Sequence, residues 1–233
     1  MSSRAAMRRR VDAVVDDLRL RLDPFPHGLY QPVDGLGRRV VTRGEGSRTR
    51  LAAMRPVLEA HGVRTVMDVG ANAGYFPIEL ARDGIRAVAV DFEPTLLRTM
   101  LTAVRRNAVE DRVAVMALRI GPDSVELLPT VDAVICLSIW HHLVRDHGLA
   151  AADEILAALW ERSRAVLIFD TGEREMGADF RLPAMEPDAR TWVAGHLAEV
   201  CAGGTVEHLG THAAFDPDGA PVTRNLFAAI RSG

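Results

Sequence analysis

The chain has 233 residues, 48% of them hydrophobic and 25% charged, with a formal net charge of −3 at pH 7. This length suits one α/β domain with modest additions, and the near-neutral charge gives no basis for a nucleic-acid-binding surface. All 28 basic residues are arginines, which excludes Schiff-base chemistry on a lysine and a Walker A phosphate loop.

The N-terminal part of the chain combines a helix with an irregular segment. Apolar residues recur at helical spacing over about 8–22, and residues 23–47 are rich in Gly, Pro and Arg. We expect this second segment to be a loop or short hairpin folded over the site. A further helix begins near Ser47. We therefore divide the chain into an N-terminal helix and lid-like extension, 1–50, and a main domain, 51–233.

Strands then alternate with helices. The predicted strands are 65–69, 87–91, 113–118, 132–137, 165–170, about 205–210 and about 225–231. The predicted helices are 76–83, 94–107, 150–161 and 188–201. This alternation predicts an α/β fold with a parallel sheet and helices on both faces. The turn Asp216–Gly219 makes the last two strands an antiparallel hairpin.

Two features concern the cell compartment. Cys136 and Cys201 are far apart and lie in apolar surroundings, which predicts buried thiols in a reducing compartment. No apolar run approaches the ~20 residues of a membrane-spanning helix. We therefore expect a cytoplasmic protein without a membrane partner.

A glycine-rich turn follows the first predicted strand. The strand ends at Asp68, and Gly70 and Gly74 punctuate the turn before the next helix, an arrangement that lets the backbone approach a ligand closely. The second strand ends at Asp91, about 20 residues past the turn, where a ribose-binding acid belongs. The sequence therefore predicts a nucleoside-containing cofactor here.

The turn reads Asp-x-Gly-x-Asn-x-Gly-Tyr-Phe and resembles motif I of class I S-adenosylmethionine-dependent methyltransferases. It differs from the Gly-x-Gly-x-x-Gly of dehydrogenases, because its two glycines are four residues apart and an acid precedes them. The resemblance implies S-adenosylmethionine as cofactor. It also implies a seven-stranded Rossmann-like sheet with a terminal antiparallel hairpin, extended by the N-terminal helix.

The resemblance assigns roles to cofactor-binding residues. Asp68 would lie under the methionine portion, with a helix-capping or turn acid as the alternative. Asp91 would bind both ribose hydroxyls, with Glu93 as second choice, and Phe92 would lie beside the adenine unless it is a core residue. A side chain at either turn glycine would collide with the cofactor. The remaining expected contacts are Tyr30, Arg48, Gly70, Asn72, Gly74, Tyr75, Phe76 and Ser138.

The segment after the third strand departs from the family pattern. Many relatives place an acid there to receive the adenine amino group, whereas this chain reads Leu118-Arg119-Ile120. Asp123 is close to this position but lies slightly too far along the chain. We expect backbone contacts and packing by Ile120 instead.

The fourth strand leads into Ser138, Trp140 and the pair His141-His142. Ligands of parallel sheets bind beyond the carboxyl ends of the strands. The segment resembles the Ser-x-x-His-His-Leu of methyltransferases that act on hydroxyls and on terminal phosphates. In an irregular loop both histidines could face the site. Adjacent residues of an extended chain point in opposite directions, so we expect only one histidine to reach the acceptor. His142 is the expected base, and His141 would contact the substrate or the lid.

Other residues near the fifth strand complete the expected substrate site. Trp140 would contact substrate, and Asp170 and Glu173 would orient a histidine or bind a substrate hydroxyl; a solvated loop is the alternative for Glu173. A metal site is also possible for two histidines, with a third ligand from Asp170, Glu173 or His147. Residues 174–187 read as an irregular lid.

A looser similarity covers roughly residues 28–173. The order of its motifs resembles the methyltransferase module that terminates polymannose O-antigens and the RNA 5′-phosphate-capping methyltransferases of the bicoid-interacting type. In these groups an arginine ahead of the first strand helps hold the cofactor carboxylate. Arg48 is the matching position and Arg50 the fallback.

The sequence therefore predicts a methyltransferase acting on an oxygen of a small molecule or sugar. Methylation of a terminal phosphate on a glycan or RNA is one alternative, although the charge argues against a nucleic-acid partner. A nicotinamide-dependent oxidoreductase and a non-catalytic cofactor-binding subunit are the others. The oligomeric state cannot be read from the sequence.

Overall fold

The computed structural model describes residues 31–34, 36 and 44–232. Tyr30 and the helix expected over 8–22 lie outside them. The described helices are α1 Gly44–Ala60, α2 Tyr75–Arg82, α3 Pro94–Arg106, α4 Trp140–His147, α5 Leu149–Glu161 and α6 Ala189–Val200, with short 3₁₀ turns at Val125–Leu127 and Ala178–Phe180. The strands are β1 Thr65–Val69, β2 Arg86–Asp91, β3 Val113–Ala117, β4 Val131–Leu137, β5 Ser163–Asp170, β6 Gly204–Phe215 and β7 Pro221–Arg231.

The strands form one seven-stranded sheet in the order β3-β2-β1-β4-β5-β7-β6. Strands β1 to β5 pair in parallel, whereas β7 is antiparallel to both β5 and β6. The expected α/β sheet with a terminal antiparallel hairpin is therefore confirmed. The expected boundary after residue 50 falls inside α1.

Both faces of the sheet are buried, which explains why the parallel strands read as continuous apolar runs. Side chains alternate between faces along a strand. In β4, Ala133 and Ile135 belong to one hydrophobic cluster, and Val134 and Cys136 belong to the other. Cys136 is a free, buried thiol, as is Cys201.

The segment that follows β4 is a helix, whereas the sequence reasoning had considered only an irregular loop or extended chain there. Trp140, Leu143 and Val144 are buried in the core at helical spacing and hold α4 in place. The hairpin strands are also longer than predicted, although the turn between them lies where it was expected, with Gly219 at φ +88°.

No helix in the described part of the chain combines the length and the apolar character needed to cross a bilayer.

A carboxylate ties the starts of β1 and β4 together. Oδ2 of Asp132 accepts hydrogen bonds from the Arg64 amide at 3.0 Å, the Thr65 amide at 2.9 Å and the Thr65 hydroxyl at 2.8 Å. Burial acts to raise the pKa of Asp132, but the hydrogen bonds from Thr65 and Arg64 outweigh it and lower that pKa. The ionised carboxylate therefore stabilises the fold.

Replacing Asp132 by Ala should lower the free energy of unfolding by roughly 1.5–3 kcal/mol at neutral pH, because hydrogen bonds to a charged group are lost. Since the folded pKa is lowered, this stabilisation is present above the ordinary pKa and disappears as the pH falls through the folded pKa. Urea unfolding over a pH series would measure both the loss of unfolding free energy and its dependence on pH. Exposed Asp111→Ala is the control, and equal stability of both variants at neutral pH would refute the role of Asp132.

Candidate active site

A cavity of about 660 Å³ opens at the carboxyl edge of the parallel strands. The sequence-predicted residues that line it are Asp68, Gly70, Asn72, Phe76, Asp91, Phe92, Ser138, His141, His142 and Asp170. The predicted residues that do not line it are Arg48, Gly74, Tyr75, Trp140 and Glu173. Most of the predicted site therefore meets in one place.

The turn after β1 is held in left-handed backbone conformations. Gly70 has φ +75°, Asn72 +54° and Gly74 +87°. A Cβ at Gly70 would overlap the Ile139 side chain, and one at Gly74 would lie 2.8 Å from Cγ of Met100. The glycines are thus required by backbone conformation and by packing within the protein, in addition to any contact with a cofactor.

Asp68 is a buried acid, and the described residues around it include no compensating partner for Oδ2, which accepts no hydrogen bond from them. Burial, and secondarily the charge of Asp91, raise the pKa of Asp68 to about 8. The N-cap of α2 is Gly74, so Asp68 does not cap that helix. An isolated buried carboxylate of this kind suits a cationic ligand group.

Asp91 is fixed by backbone amides. Oδ2 accepts from Asn72 at 2.9 Å, and Oδ1 accepts from Phe92 at 2.7 Å and from Glu93 at 3.1 Å. Since a carboxylate offers about four acceptor positions, one position remains for a ligand. Glu93 also lines the cavity and caps α3 through the Leu96 amide at 2.8 Å.

The end of the cavity beside β3 is formed by an exposed aromatic residue and an arginine. Phe92 is 48% exposed, so it is not a core residue. The guanidinium of Arg119 lies 3.9 Å from the Phe92 ring centroid. Ile120 lines the cavity there, whereas Asp123 is exposed and does not. This end accordingly offers flat apolar surface and no acid after β3.

Asp170 lies at the end of β5 and is fully buried. Its Oδ2 accepts from Nε of Arg50 at 2.5 Å, and its Oδ1 accepts from the amide of Ser138 at 2.7 Å and its hydroxyl at 3.0 Å. Arg50 lines the cavity, whereas Arg48 is exposed. The geometry therefore favours Arg50 over Arg48 as the arginine that can reach a ligand in the cavity. Asp170 is bound to Arg50 in an ion pair within the protein.

Arg224 was missed by the sequence reasoning. This β7 residue is 4% exposed and lines the cavity. Its Nε donates to Glu175 at 2.7 Å, Nη1 to the Ser138 hydroxyl at 3.2 Å and Nη2 to the Phe215 carbonyl at 3.1 Å. Arg224 thus connects the lid, the end of β4 and the terminal hairpin.

Two expected substrate contacts face away from the cavity. Trp140 is buried in the core and donates Nε1–H to Asp153 at 3.0 Å, because the helical backbone of α4 turns its side chain inward. Glu173 accepts from the amide and the side-chain nitrogen of Asn225 at 2.6 and 2.9 Å, which draws it towards β7 instead of into solvent. Among the described residues, no three His, Cys, Asp or Glu side chains form a potential metal-binding group.

Both histidines of the pair line the cavity, because adjacent helical residues are about 100° apart and not opposite. Their ring centroids are 4.3 Å apart, and the Phe180 ring lies 5.6 Å from each. Burial is the main cause that lowers the pKa of both rings. The second cause is His142 in the case of His141 and Arg145 in the case of His142. Both rings are therefore neutral at neutral pH.

The environments of the two rings differ. His141 is 3% exposed, and its Nδ1 accepts from the Gly172 amide at 2.8 Å and lies 3.2 Å from the Thr171 hydroxyl. His142 is half-buried, and its imidazole ring makes no hydrogen bond to another described residue. His142 is consequently the freer of the two to accept a proton.

Comparison with known proteins supports the fold. No family model matches the chain. The O-antigen chain terminator bifunctional methyltransferase/kinase WbdD of Escherichia coli is 29% identical over 111 residues, which cover 44% of this chain and 14% of WbdD. A WbdD crystal structure aligns with a TM-score of 0.71 and 22% identity over 91% of this chain. The chain spans less than half, 46%, of that structure.

A second solved structure is of similar size. Magnesium protoporphyrin IX methyltransferase from Synechocystis PCC 6803, crystallised with bound SAM, aligns with a TM-score of 0.59 and 17% identity, covering 80% of each chain. The chain has the class I methyltransferase fold. In this methyltransferase fold, the cavity occupies the carboxyl edge of the strands, the edge at which open α/β sheets bind ligands.

Replacing Arg50 by Ala should lower the free energy of unfolding by about 3–5 kcal/mol, because Asp170 would remain buried without its partner. Exposed Arg48→Ala should change it by no more than about 0.5 kcal/mol. Chemical denaturation of the two variants measures both values. Equal losses in the two variants would mean that Arg50 does not stabilise Asp170.

Proposed function

We propose that the chain is an S-adenosylmethionine-dependent methyltransferase that methylates an oxygen of a small molecule or sugar, with His142 as general base. The observation that carries the proposal is Asp68, a buried acid with no hydrogen-bond partner at Oδ2 among the described residues, in the cavity that also contains His142. An acid in this position fits a ligand that carries an ammonium group. S-adenosylmethionine has such a group and, when bound, supplies a methyl group on a positively charged sulfur.

The cavity residues fit the rest of this cofactor. Asp91 and Glu93 would share the ribose hydroxyls, since Asp91 alone has one acceptor position left. Phe92 and Ile120 would pack against the adenine. Arg50 would hold the cofactor carboxylate through Nη2, because Nε and Nη1 already donate within the protein.

The remaining cavity residues prepare the acceptor. His142, kept neutral by burial and by Arg145, would accept the proton of a hydroxyl. Met176 and Phe180 of the lid cover this region and would limit the access of water. Holding the acceptor in line with the transferred group supplies a further part of the rate enhancement.

A terminal phosphate is the second candidate acceptor. The cation that supports it is Arg145, which lines the cavity beside His142 and is partly exposed. Arg145 is already paired with Asp146 at 2.8 Å, so a phosphate would compete with that carboxylate. A hydroxyl has no such competitor, which makes it our first choice.

Binding of S-adenosylhomocysteine should release about one proton at neutral pH, because an Asp68 with a pKa of about 8 is protonated in the free protein and ionised beside an ammonium group. Calorimetry in phosphate and Tris buffers, which differ in ionisation enthalpy, measures this release. Asp68→Asn should abolish it and weaken binding by roughly 1.5–3 kcal/mol.

The same calorimeter distinguishes the competing functions. Binding of NAD without binding of S-adenosylhomocysteine would replace the proposal with an oxidoreductase. Binding of S-adenosylhomocysteine with no methyl transfer to any acceptor would favour a non-catalytic cofactor-binding subunit.

With the acceptor that a labelled-methyl screen identifies, His142→Ala should lower the turnover rate by about 10²–10⁴-fold while leaving cofactor affinity nearly unchanged. A base must be unprotonated, so the parent rate should fall as the pH drops through the lowered pKa of His142, and the variant should lose this limb.

His147→Ala is the matched control, since His147 is exposed on the same helix and does not line the cavity. An acceptor that is already ionised, such as a phosphate, needs no base. In that case His142→Ala would weaken acceptor binding while the acid limb persists. Full turnover with an unchanged pH profile would remove His142 from the mechanism.

A further inference from the structure

The hydrogen bonds around His141 fix where its proton lies. The Gly172 amide can only donate, so Nδ1 of His141 must accept at 2.8 Å and carries no proton. The Thr171 hydroxyl, 3.2 Å from the same nitrogen, is compatible because it can donate as well. A neutral imidazole has one N–H, which is therefore at Nε2.

This tautomer prevents His141 from acting as a base. Protonation would have to occur at Nδ1, where the new N–H would face the N–H of Gly172. The surroundings of the ring act in the same direction, since burial, the largest cause, and then His142, Arg224 and Arg145 all lower the pKa of His141. Nε2–H has no partner among the described residues, and the ring lines the cavity.

We propose that His141 is a fixed hydrogen-bond donor to the atom that is methylated, and that the pair with His142 thereby selects oxygen acceptors and rejects amines. The inference rests on the proposed function and specifies its substrate class. One histidine donates and the other accepts, and their ring centroids are only 4.3 Å apart, close enough for one acceptor atom to meet both.

The selection of oxygen over nitrogen follows from the number of lone pairs that each acceptor atom carries. A hydroxyl oxygen has two lone pairs and one hydrogen. It can accept from His141 and donate its hydrogen to His142 while its second lone pair attacks. In the transfer, the O–H bond breaks and the proton moves to His142, the oxygen bonds to the methyl carbon, and sulfur keeps the electron pair of the bond that breaks.

An amine cannot satisfy the same arrangement. A neutral amine nitrogen has a single lone pair, so accepting from His141 would consume the electrons needed for attack. A protonated amine has no lone pair and would present a cation near Arg145 and Arg224. An ionised phosphate oxygen, by contrast, has lone pairs for both purposes, so both candidate acceptors of the proposed function remain compatible.

Nitrogen NMR of histidine-labelled full-length protein tests the proposal, in the free state and with S-adenosylhomocysteine bound. His141 should show the Nε2–H tautomer and should not titrate between about pH 5.5 and 8, the range in which an ordinary histidine changes charge. Of the eight histidines of the chain, His141→Gln and His142→Ala identify the signals of these two rings by their disappearance. Thr171→Val is the matched control, because it removes the hydroxyl but keeps the Gly172 amide, and it should leave the tautomer unchanged.

Phenol and aniline serve as matched probes, having the same ring and different acceptor atoms. In the S-adenosylhomocysteine complex, phenol should shift the Nε2–H resonance of His141 downfield, and aniline should shift it much less. An Nδ1–H tautomer, a charged ring, a resonance unmoved by phenol or equal shifts with both probes would each overturn the proposal. A protein that binds S-adenosylhomocysteine and fails these tests keeps the proposed function, whereas one that does not bind it loses both.

Discussion

The buried carboxylate of Asp170 is the constraint on which the arrangement of the site depends. It lies at the end of β5, and its charge is stable there only while Arg50 and Ser138 remain bonded to it. These bonds fix α1 and the end of β4 relative to β5. Arg224 extends the connection from Ser138 to Glu175 of the lid. Five separate parts of the chain, namely α1, the end of β4, β5, β7 and the lid, are thus held around one cavity by a single polar network.

Two titratable side chains of the cavity lie near groups of like charge. Beside β1 and β2, burial and then the charge of Asp91 raise the pKa of Asp68. Beside α4, burial and then the charge of Arg145 lower the pKa of His142. Like charges thus act with burial at both side chains, and in each case the uncharged form is favoured. At neutral pH, the free cavity therefore presents an uncharged Asp68 and an uncharged His142.

Most of the fold was predictable, because the strands that form the buried parallel sheet are short apolar runs with helices between them. The turn with Gly70 and the acid Asp91 were also predictable, because their spacing in the sequence follows from local geometry. Residues whose role depends on distant partners were not predictable. Arg224 reaches the cavity only through the register of β7, and Asp170 is enclosed only because Arg50 arrives from α1.

Helix α4 was not predicted, although the sequence contains a signal for it. Trp140 and Leu143 flank the histidine pair at helical spacing. That spacing indicated that Trp140 would be buried and that the chain would turn into a helix at this point.

The backbone conformation at Ser138 explains how one short segment places two histidines in the cavity in different environments. Ser138 adopts a left-handed conformation, φ +57°, which is uncommon for a residue with a side chain and is held here by the bonds to Asp170. The chain thereby changes from strand to helix at the edge of the cavity. His141 and His142 fall in the first turn of α4, so both side chains face the cavity from neighbouring positions. Their difference comes from the end of β5, since only His141 is reached by the Gly172 amide. One backbone bond therefore makes two chemically identical side chains unequal, one a donor of fixed orientation and the other an available acceptor.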